Sequence, residues 1–230
     1  MVNYELDERV ATITMDDGKA NALAIPMLKE LHSALDQAEK DEAIVLITGR
    51  EKYFSAGFDL KVFTETPEHL LEMIHLGGTL CERILAFPTP VVTASTGHTL
   101  AAGTFMTMCA DYRIGLDGDW KYGLNEVKIG LTMPQYVIEF ARQRLTPAEF
   151  SRSVITGRIY NPQEAAAAGF IDVAVPAEDF DAAVAAATEE MTTLTPEAHA
   201  ATKLRARADA IKGVRAAIES EIEVHMPDAG

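Results

Sequence analysis

The chain has few cysteines, no long apolar run and a shortage of basic residues. Its 230 residues include only two cysteines, Cys81 and Cys109, and neither belongs to a CxxC or His-rich cluster. We therefore predict buried free thiols in a reducing compartment, with no disulfide and no metal site. No apolar stretch approaches the roughly 18–20 residues that a membrane-spanning helix needs.

The charge balance argues against a large class of partners. The chain carries 20 Lys and Arg against 35 Asp and Glu, which gives a formal net charge of −15. Because proteins that bind nucleic acid use cationic surface to contact phosphates, no nucleic-acid partner is expected. The N-terminal MVNYELDERV has charges of both signs and no apolar core of signal-peptide length. We therefore expect a cytoplasmic protein with no membrane partner.

Predicted strands and helices alternate through the first two thirds of the chain. NYELDE, VATITMD, AIVLITG and PVVTAST predict strands. IPMLKELHSALDQAEK has its apolar residues on one helical face, and PEHLLEMIHLGGTLCERILAF predicts a second helix, weakened by Gly77 and Gly78. This order predicts an α/β protein with a partly parallel sheet. After about Pro147 the chain is mostly Ala-rich helix, with a C-terminal helical segment from residue 195.

Two loops of small residues follow predicted strands, SAGFDL (55–60) and TGHTLAAGT (96–104). One interpretation is structural: both are tight turns, and Gly57 supplies a backbone conformation with positive φ. The other is chemical, because N–H groups at a helix start lack intrahelical partners and small side chains would let a ligand oxygen reach them. Two such donors would form an oxyanion hole. Neither loop matches a phosphate-binding glycine motif.

Several motifs in register resemble the enoyl-CoA hydratase/isomerase (crotonase) superfamily. They are FSAGFDL, GHTLAAG, CADYRI and YGLNEVKIGL, together with KANAL and GRIYNPQEAAAAGFIDVAVP. The resemblance implies a crotonase-like spiral of ββα units over residues 1–194, with residues 195–230 as a helical trimerisation or cover segment. It also implies an acyl-CoA substrate, coenzyme A being part of that substrate and not a separate cofactor, and a homotrimer or hexamer.

The resemblance also implies which residues form the site. The oxyanion donors would be the backbone N–H groups of Phe58 and Ala102, where the family usually has Gly at the second position. Glu126, in the GLNEVKIG motif, would be the catalytic carboxylate; without the neighbouring motifs it reads as a surface residue in a polar turn. The positions implied to bind substrate are Lys19, Ala20, Ala22, Ala56, Gly57, Lys61 and Phe105.

Phe105 bears on the reaction type. Hydratases of the family use a second glutamate three residues after the second oxyanion donor, and here that residue is Phe105. Hydration needs one group to activate water and another to handle the proton at the α-carbon. A single carboxylate is enough to shift a double bond, so the resemblance is strongest to the Δ3,Δ2-enoyl-CoA isomerase branch. Thioester hydrolysis, decarboxylation, residual hydration and non-catalytic acyl-CoA binding stay open.

Overall fold

The computed structural model describes the backbone of residues 1–225 and the side chains of residues 1–220. Its strands are β1 (Val2–Asp7), β2 (Val10–Met15), β3 (Ala22–Leu23), β4 (Ile44–Thr48), β5 (Lys52–Ser55), β6 (Gly57–Phe58), β7 (Val91–Ser95), β8 (Gly97–Leu100), β9 (Tyr112–Leu116), β10 (Tyr122–Gly123), β11 (Ile159–Tyr160) and β12 (Val173–Val175). Its α-helices are α1 (Ile25–Lys40), α2 (Pro67–Ala86), α3 (Ala102–Cys109), α4 (Gln135–Arg144), α5 (Pro147–Thr156), α6 (Pro162–Ala168), α7 (Ala177–Thr192), α8 (Pro196–Ala206) and α9 (Ala208–His225). Short 3₁₀ helices span Val62–Thr64 and Glu126–Ile129.

A six-stranded sheet with the order β1-β2-β4-β7-β9-β12 forms the centre of the fold. β1 and β2 pair antiparallel, and the later neighbours in this sheet pair parallel. Parallel neighbours need a long crossover, and α1, α2 and α3 supply it between successive strands. The predicted α/β class is confirmed.

Each of these three helices ends a repeat of the ββα type. β2-β3-α1, β4-β5-β6-α2 and β7-β8-α3 each begin with a strand of the large sheet. The chain then leaves for a smaller sheet, either β11-β10-β8-β5 or the pair β3-β6, before the helix begins. The crotonase-like spiral is therefore confirmed. As a result, β6 and β8 lie outside the large sheet, and β8 ends two residues before α3 begins.

The helix α1 shows how far the hydrophobic pattern predicts this fold. It begins at Ile25 and ends at Lys40, as the pattern indicates. The six apolar positions of its predicted inner face are buried: Met27, Leu28, Leu31, Ala34, Leu35 and Ala38. Such a stripe, with a repeat of about 3.6 residues, specifies which side of a helix faces the core.

The glycine pair in α2 permits close packing on two sides. A Cβ at Gly77 would lie 2.4 Å from Cζ of Phe58, and one at Gly78 would lie 2.9 Å from Cγ1 of Ile218 in α9. A glycine inside a helix costs about 1 kcal/mol relative to alanine. Here the cost is offset by contacts that a methyl group would prevent, so α2 joins the first small-residue loop to the C-terminal helix.

The C-terminal helices pack on the core of their own chain. Ile211, Val214 and Ile218 of α9 belong to the same buried apolar cluster as the core, and α9 contacts α2 and α4. Lys203 of α8 is buried, and its Nζ donates to Oδ2 of Asp111 at 2.6 Å. This segment therefore covers the core in cis. Its role in trimerisation, and the domain boundary at residue 195, stay predictions.

The two cysteines lie against each other in the core. Both are free and buried, as predicted. Burial raises the pKa of the Cys81 thiol well above its ordinary value, and the neighbouring Cys109 raises it further.

None of the helices in the described part of the chain has both the length and the apolar character needed to cross a membrane.

Candidate active site

The two small-residue loops lie in contact. β6 pairs parallel with β3. Gly57, the first residue of β6, has a φ of +97° and lies two residues after the end of β5. A Cβ at Gly57 would lie 2.5 Å from the Cβ of Ala101 and 3.2 Å from the backbone nitrogen of Ala102. The two interpretations of these loops are therefore compatible. Gly57 needs its positive φ, and its backbone touches the start of α3.

The start of α3 contains a strained residue that sequence reasoning missed. Ala101 precedes the helix with φ 47° and ψ −124°, a conformation that costs a residue with a side chain about 1–3 kcal/mol. Its N–H donates to the carbonyl oxygen of Gly123 at 2.9 Å, which helps to hold it there. Ala102 is the first helical residue, so its N–H has no intrahelical acceptor. The run of small residues 101–103 was the available signal.

A cavity of about 720 Å³ opens beside these loops. Its wall is mainly apolar, and the polar exceptions among its lining residues include Asn125 and Glu126. The full set of lining residues is Ala56, Phe58, Leu60, Phe63, Leu70, Ile74, Ala101, Phe105, Asn125, Glu126, Ile129, Gly130, Leu131, Thr132, Met133, Pro134, Gln135 and Ser220. The cavity thus brings together both loops, the start of α2, the 126–135 segment and α9.

Glu126 is buried in this wall and is not a surface residue. It begins the 3₁₀ helix Glu126–Ile129, and its side chain belongs to a residue that is only 5% exposed. Its Oε2 has no hydrogen-bond partner among the described residues. Burial raises the pKa of its carboxyl from the ordinary 4.5 to about 7, although a bond from its own backbone N–H acts in the opposite direction. Such a group can both accept and return a proton near neutral pH.

Phe105 forms an aromatic part of the same wall. It lies one turn into α3 and is 1% exposed. Its ring centroid lies 6.1 Å from that of Phe58 in an edge-on arrangement, and 6.4 Å and 6.1 Å from those of Tyr136 and Phe140. Where hydratases of the family carry a second carboxylate, this chain therefore presents packed aromatic surface.

Of the other implied substrate-binding residues, Ala56 lines the cavity, whereas Lys19, Ala20, Ala22 and Lys61 do not. The carbonyl oxygen of Ala20 accepts the N–H of Ala56 at 2.9 Å, and Ala22 pairs with Gly57, so both support the first loop. Lys19 and Lys61 are exposed and do not line the cavity. Substrate contacts by these four residues stay predictions. Within the described residues, no group of three or more His, Cys, Asp or Glu could hold a metal ion.

The ββα spiral and the paired loops define a crotonase-type α/β protein. The family model for enoyl-CoA hydratase/isomerase matches residues 5–227. The chain therefore belongs to the enoyl-CoA hydratase/isomerase family.

The proteins that this chain resembles include some named as isomerases and some named as hydratases. A family protein from Pseudomonas syringae is 42% identical, with a TM-score of 0.95 and 98% of each chain covered. Human mitochondrial delta3-delta2-enoyl-CoA isomerase is 25% identical, with a TM-score of 0.91 over 99% of this chain and 93% of the human one. A probable enoyl-CoA hydratase from Bacillus subtilis is 35% identical over 59% of this chain, and the match spans only 57% of that relative's own length.

Proposed function

We propose that this protein is an enoyl-CoA isomerase, which moves the C3=C4 double bond of an acyl-CoA thioester to C2=C3. The observation that carries the proposal is the lone carboxyl of the cavity. Among the described residues that line it, Glu126 alone has a carboxyl group, and Phe105 occupies the position of a second one. The buried carboxyl with a pKa of about 7 supports proton transfer, and the aromatic wall supports the exclusion of water.

One carboxylate and two backbone N–H donors are enough to carry out the proposed reaction. The Glu126 carboxylate takes a proton from C2, and the electron pair of that C–H bond passes to the thioester oxygen to form a dienolate. The N–H groups of Phe58 and Ala102 stabilise the oxyanion. The C3=C4 electron pair of the dienolate then takes the proton of Glu126 at C4, and the C1=C2 pair becomes the C2=C3 bond. The thioester C=O re-forms from the oxyanion, and the Glu126 carboxylate is regenerated. A positioned base contributes about 10²–10⁴ in rate, and an oxyanion donor about 10²–10³.

The proposal includes binding and assembly. The apolar wall would hold the acyl chain, and the exposed cations Lys19 and Lys61 would meet the coenzyme A phosphates outside the cavity. No separate cofactor is required, since coenzyme A enters as part of the substrate. We also expect a cytoplasmic homotrimer or hexamer, and light scattering that gave the monomer mass at micromolar concentration would exclude that assembly.

Hydration of 2-enoyl thioesters is the second candidate, because the Bacillus subtilis relative is named a probable hydratase. Against it stands the chemistry of the wall, which offers Glu126 no second carboxylate as partner among the described residues. A hydratase would need Glu126 both to activate water and to handle the proton at C2.

The two candidates are separated by a product assay. We expect the purified protein to convert a 3-enoyl-CoA to the 2-enoyl-CoA and stop there, with little 3-hydroxyacyl-CoA formed on long incubation. Chromatography of the reaction detects each product. Rapid hydration of 2-enoyl-CoA would favour the hydratase. Thermal stabilisation by acyl-CoA without turnover of either substrate would favour a non-catalytic binder.

A further inference from the structure

Ser55 is a buried hydroxyl at the end of β5, three residues before Phe58. It is 0% exposed. Its Oγ accepts the N–H of Gly57 at 3.1 Å and donates to the carbonyl oxygen of Asn21 at 2.7 Å. The Ser55 hydroxyl therefore acts as a donor towards Asn21 and as an acceptor towards Gly57. The Gly57 peptide is thereby tied to the segment that carries Asn21.

Asn21 is a rigid anchor for that hydroxyl. It is 0% exposed and has a φ of 51°. Its Nδ2 donates to the carbonyl oxygens of Met15 and Phe54 at 2.8 Å and 3.1 Å, and its Oδ1 accepts the N–H of Asp17 at 3.0 Å. Its backbone is held as well, because its own N–H donates to the Asp17 carboxylate at 2.9 Å. The acceptor that Ser55 uses is therefore fixed in position.

Ser55 also touches the second loop. A Cβ at Gly103 would lie 2.7 Å from the Cβ and 2.7 Å from the carbonyl oxygen of Ser55. The first turn of α3 therefore rests directly on Ser55, one residue after Ala102. The same side chain thus bonds to the backbone beside one proposed oxyanion donor and packs on the backbone beside the other.

We propose that Ser55 is a positioning residue that sets the spacing of the two oxyanion donors, an inference that rests on the proposed function. Gly57, which has a positive φ and no side chain, has the greatest backbone conformational freedom in the first loop. The Ser55 hydroxyl accepts the N–H of the Ala56–Gly57 peptide. The Phe58 N–H belongs to the next peptide along the chain, so fixing the first peptide restricts where Gly57 can place the second. Because the hole stabilises charge that develops in the transition state, loosening it lowers kcat more than it weakens substrate binding.

The test compares Ser55→Ala with Ser153→Ala. Ser153 is also 0% exposed, its Oγ pairs with the Tyr160 hydroxyl at 2.8 Å, and it does not line the cavity. We expect Ser55→Ala to lower kcat on 3-enoyl-CoA about 10- to 100-fold with KM changed less than threefold. Ser153→Ala should keep kcat within about twofold at a similar loss of Tm. Ser55→Cys, with a weak sulfur acceptor, should fall between serine and alanine.

Hydrogen exchange supplies a readout that does not require activity. We expect the amide of Gly57, which donates to Ser55 Oγ, to exchange at least about tenfold faster in Ser55→Ala and unchanged in Ser153→Ala. Unchanged exchange, or faster exchange with kcat intact, would overturn the positioning role. A parallel fall in both serine variants would do so too, since it would mark a general loss of stability. If the wild type turns over no enoyl-CoA, the proposed function fails, while exchange still decides whether Ser55 holds the loop.

Discussion

Replacement of Glu126 by Gln should lower kcat on 3-enoyl-CoA at least about 100-fold while KM changes little. The amide nearly preserves the shape of the carboxyl, so the cavity and the substrate contacts persist. It cannot accept the C2 proton or return one to C4, and a positioned base is worth about 10²–10⁴ in rate. Removal of an interaction that is made only in the transition state lowers kcat and leaves KM nearly unchanged. Steady-state kinetics on both proteins measures the two constants.

The pH profile provides an internal check on the same variant. In the wild type, kcat/KM should rise with pH up to about 7, where the Glu126 carboxyl of the free enzyme ionises. Glu126→Gln should lack this rise. The pKa of Glu126 is about 7 in the folded state and 4.5 ordinarily. Between these pH values the carboxyl is ionised in the unfolded chain but still protonated in the folded one, so the free energy of unfolding falls as pH rises from about 4.5 to 7. The variant should therefore have the higher Tm at pH 8, with a smaller difference at pH 4.

The matched control is the same substitution at a remote carboxyl. Glu30→Gln removes a carboxylate that accepts the N–H of Val2 at 2.8 Å, far along the chain from the cavity lining. It should leave kcat and its pH profile unchanged. A Glu126→Gln enzyme that kept more than about a tenth of the wild-type kcat would exclude Glu126 as the base.

Local patterns predicted the elements that their own sequence specifies. The bounds and the inner face of α1 followed from spacing alone, because every turn of an amphipathic helix places apolar residues on the side that faces the core. The alternation of strands and helices followed from strand signals and small-residue turns, whereas the ββα spiral was implied by the resemblance to the family. Glu126 could be placed only because neighbouring motifs surrounded it; as a single residue in a polar turn it resembles any surface glutamate.

Features that depend on distant partners could not be predicted in this way. Gly77 and Gly78 read as weak points of α2, because nothing near them in sequence indicates that Phe58 and Ile218 lie against them. Lys203 is buried beside Asp111, and nothing near it in sequence indicates that partner. There burial lowers the pKa of Lys203 to about 8, against the opposing effect of Asp111.

Contact of the Lys19 side chain with the coenzyme A phosphates stays a prediction. It was assigned to the substrate by resemblance, yet it is exposed and lies outside the cavity lining. Its backbone is well fixed, because its N–H donates to Asp17 Oδ1 at 2.7 Å. A long side chain on such a loop loses conformational entropy when it is ordered, so a bound phosphate would have to offset that cost.

Phe105→Glu should give the enzyme a measurable hydration of 2-enoyl-CoA at the expense of stability. The new carboxyl would lie one helical turn after the Ala102 donor, on the cavity wall, and could activate water together with Glu126. Two carboxyls in one apolar site cannot both ionise freely, so the pKa of one should rise. Loss of the ring contacts with Phe58 and Phe140 should cost about 3–5 kcal/mol, the range for large buried aromatic side chains.

Phe105→Gln separates the carboxyl from the loss of the ring. It opens the same space and removes the same aromatic contacts, but its amide cannot act as a base. We therefore expect 3-hydroxyacyl-CoA from Phe105→Glu and almost none from Phe105→Gln, with isomerisation reduced in both because water reaches the dienolate. Equal hydration by the two variants would mean that water access alone decides the reaction. Hydration by the wild type at a rate comparable to isomerisation would show that the Phe105 ring does not select the isomerase reaction.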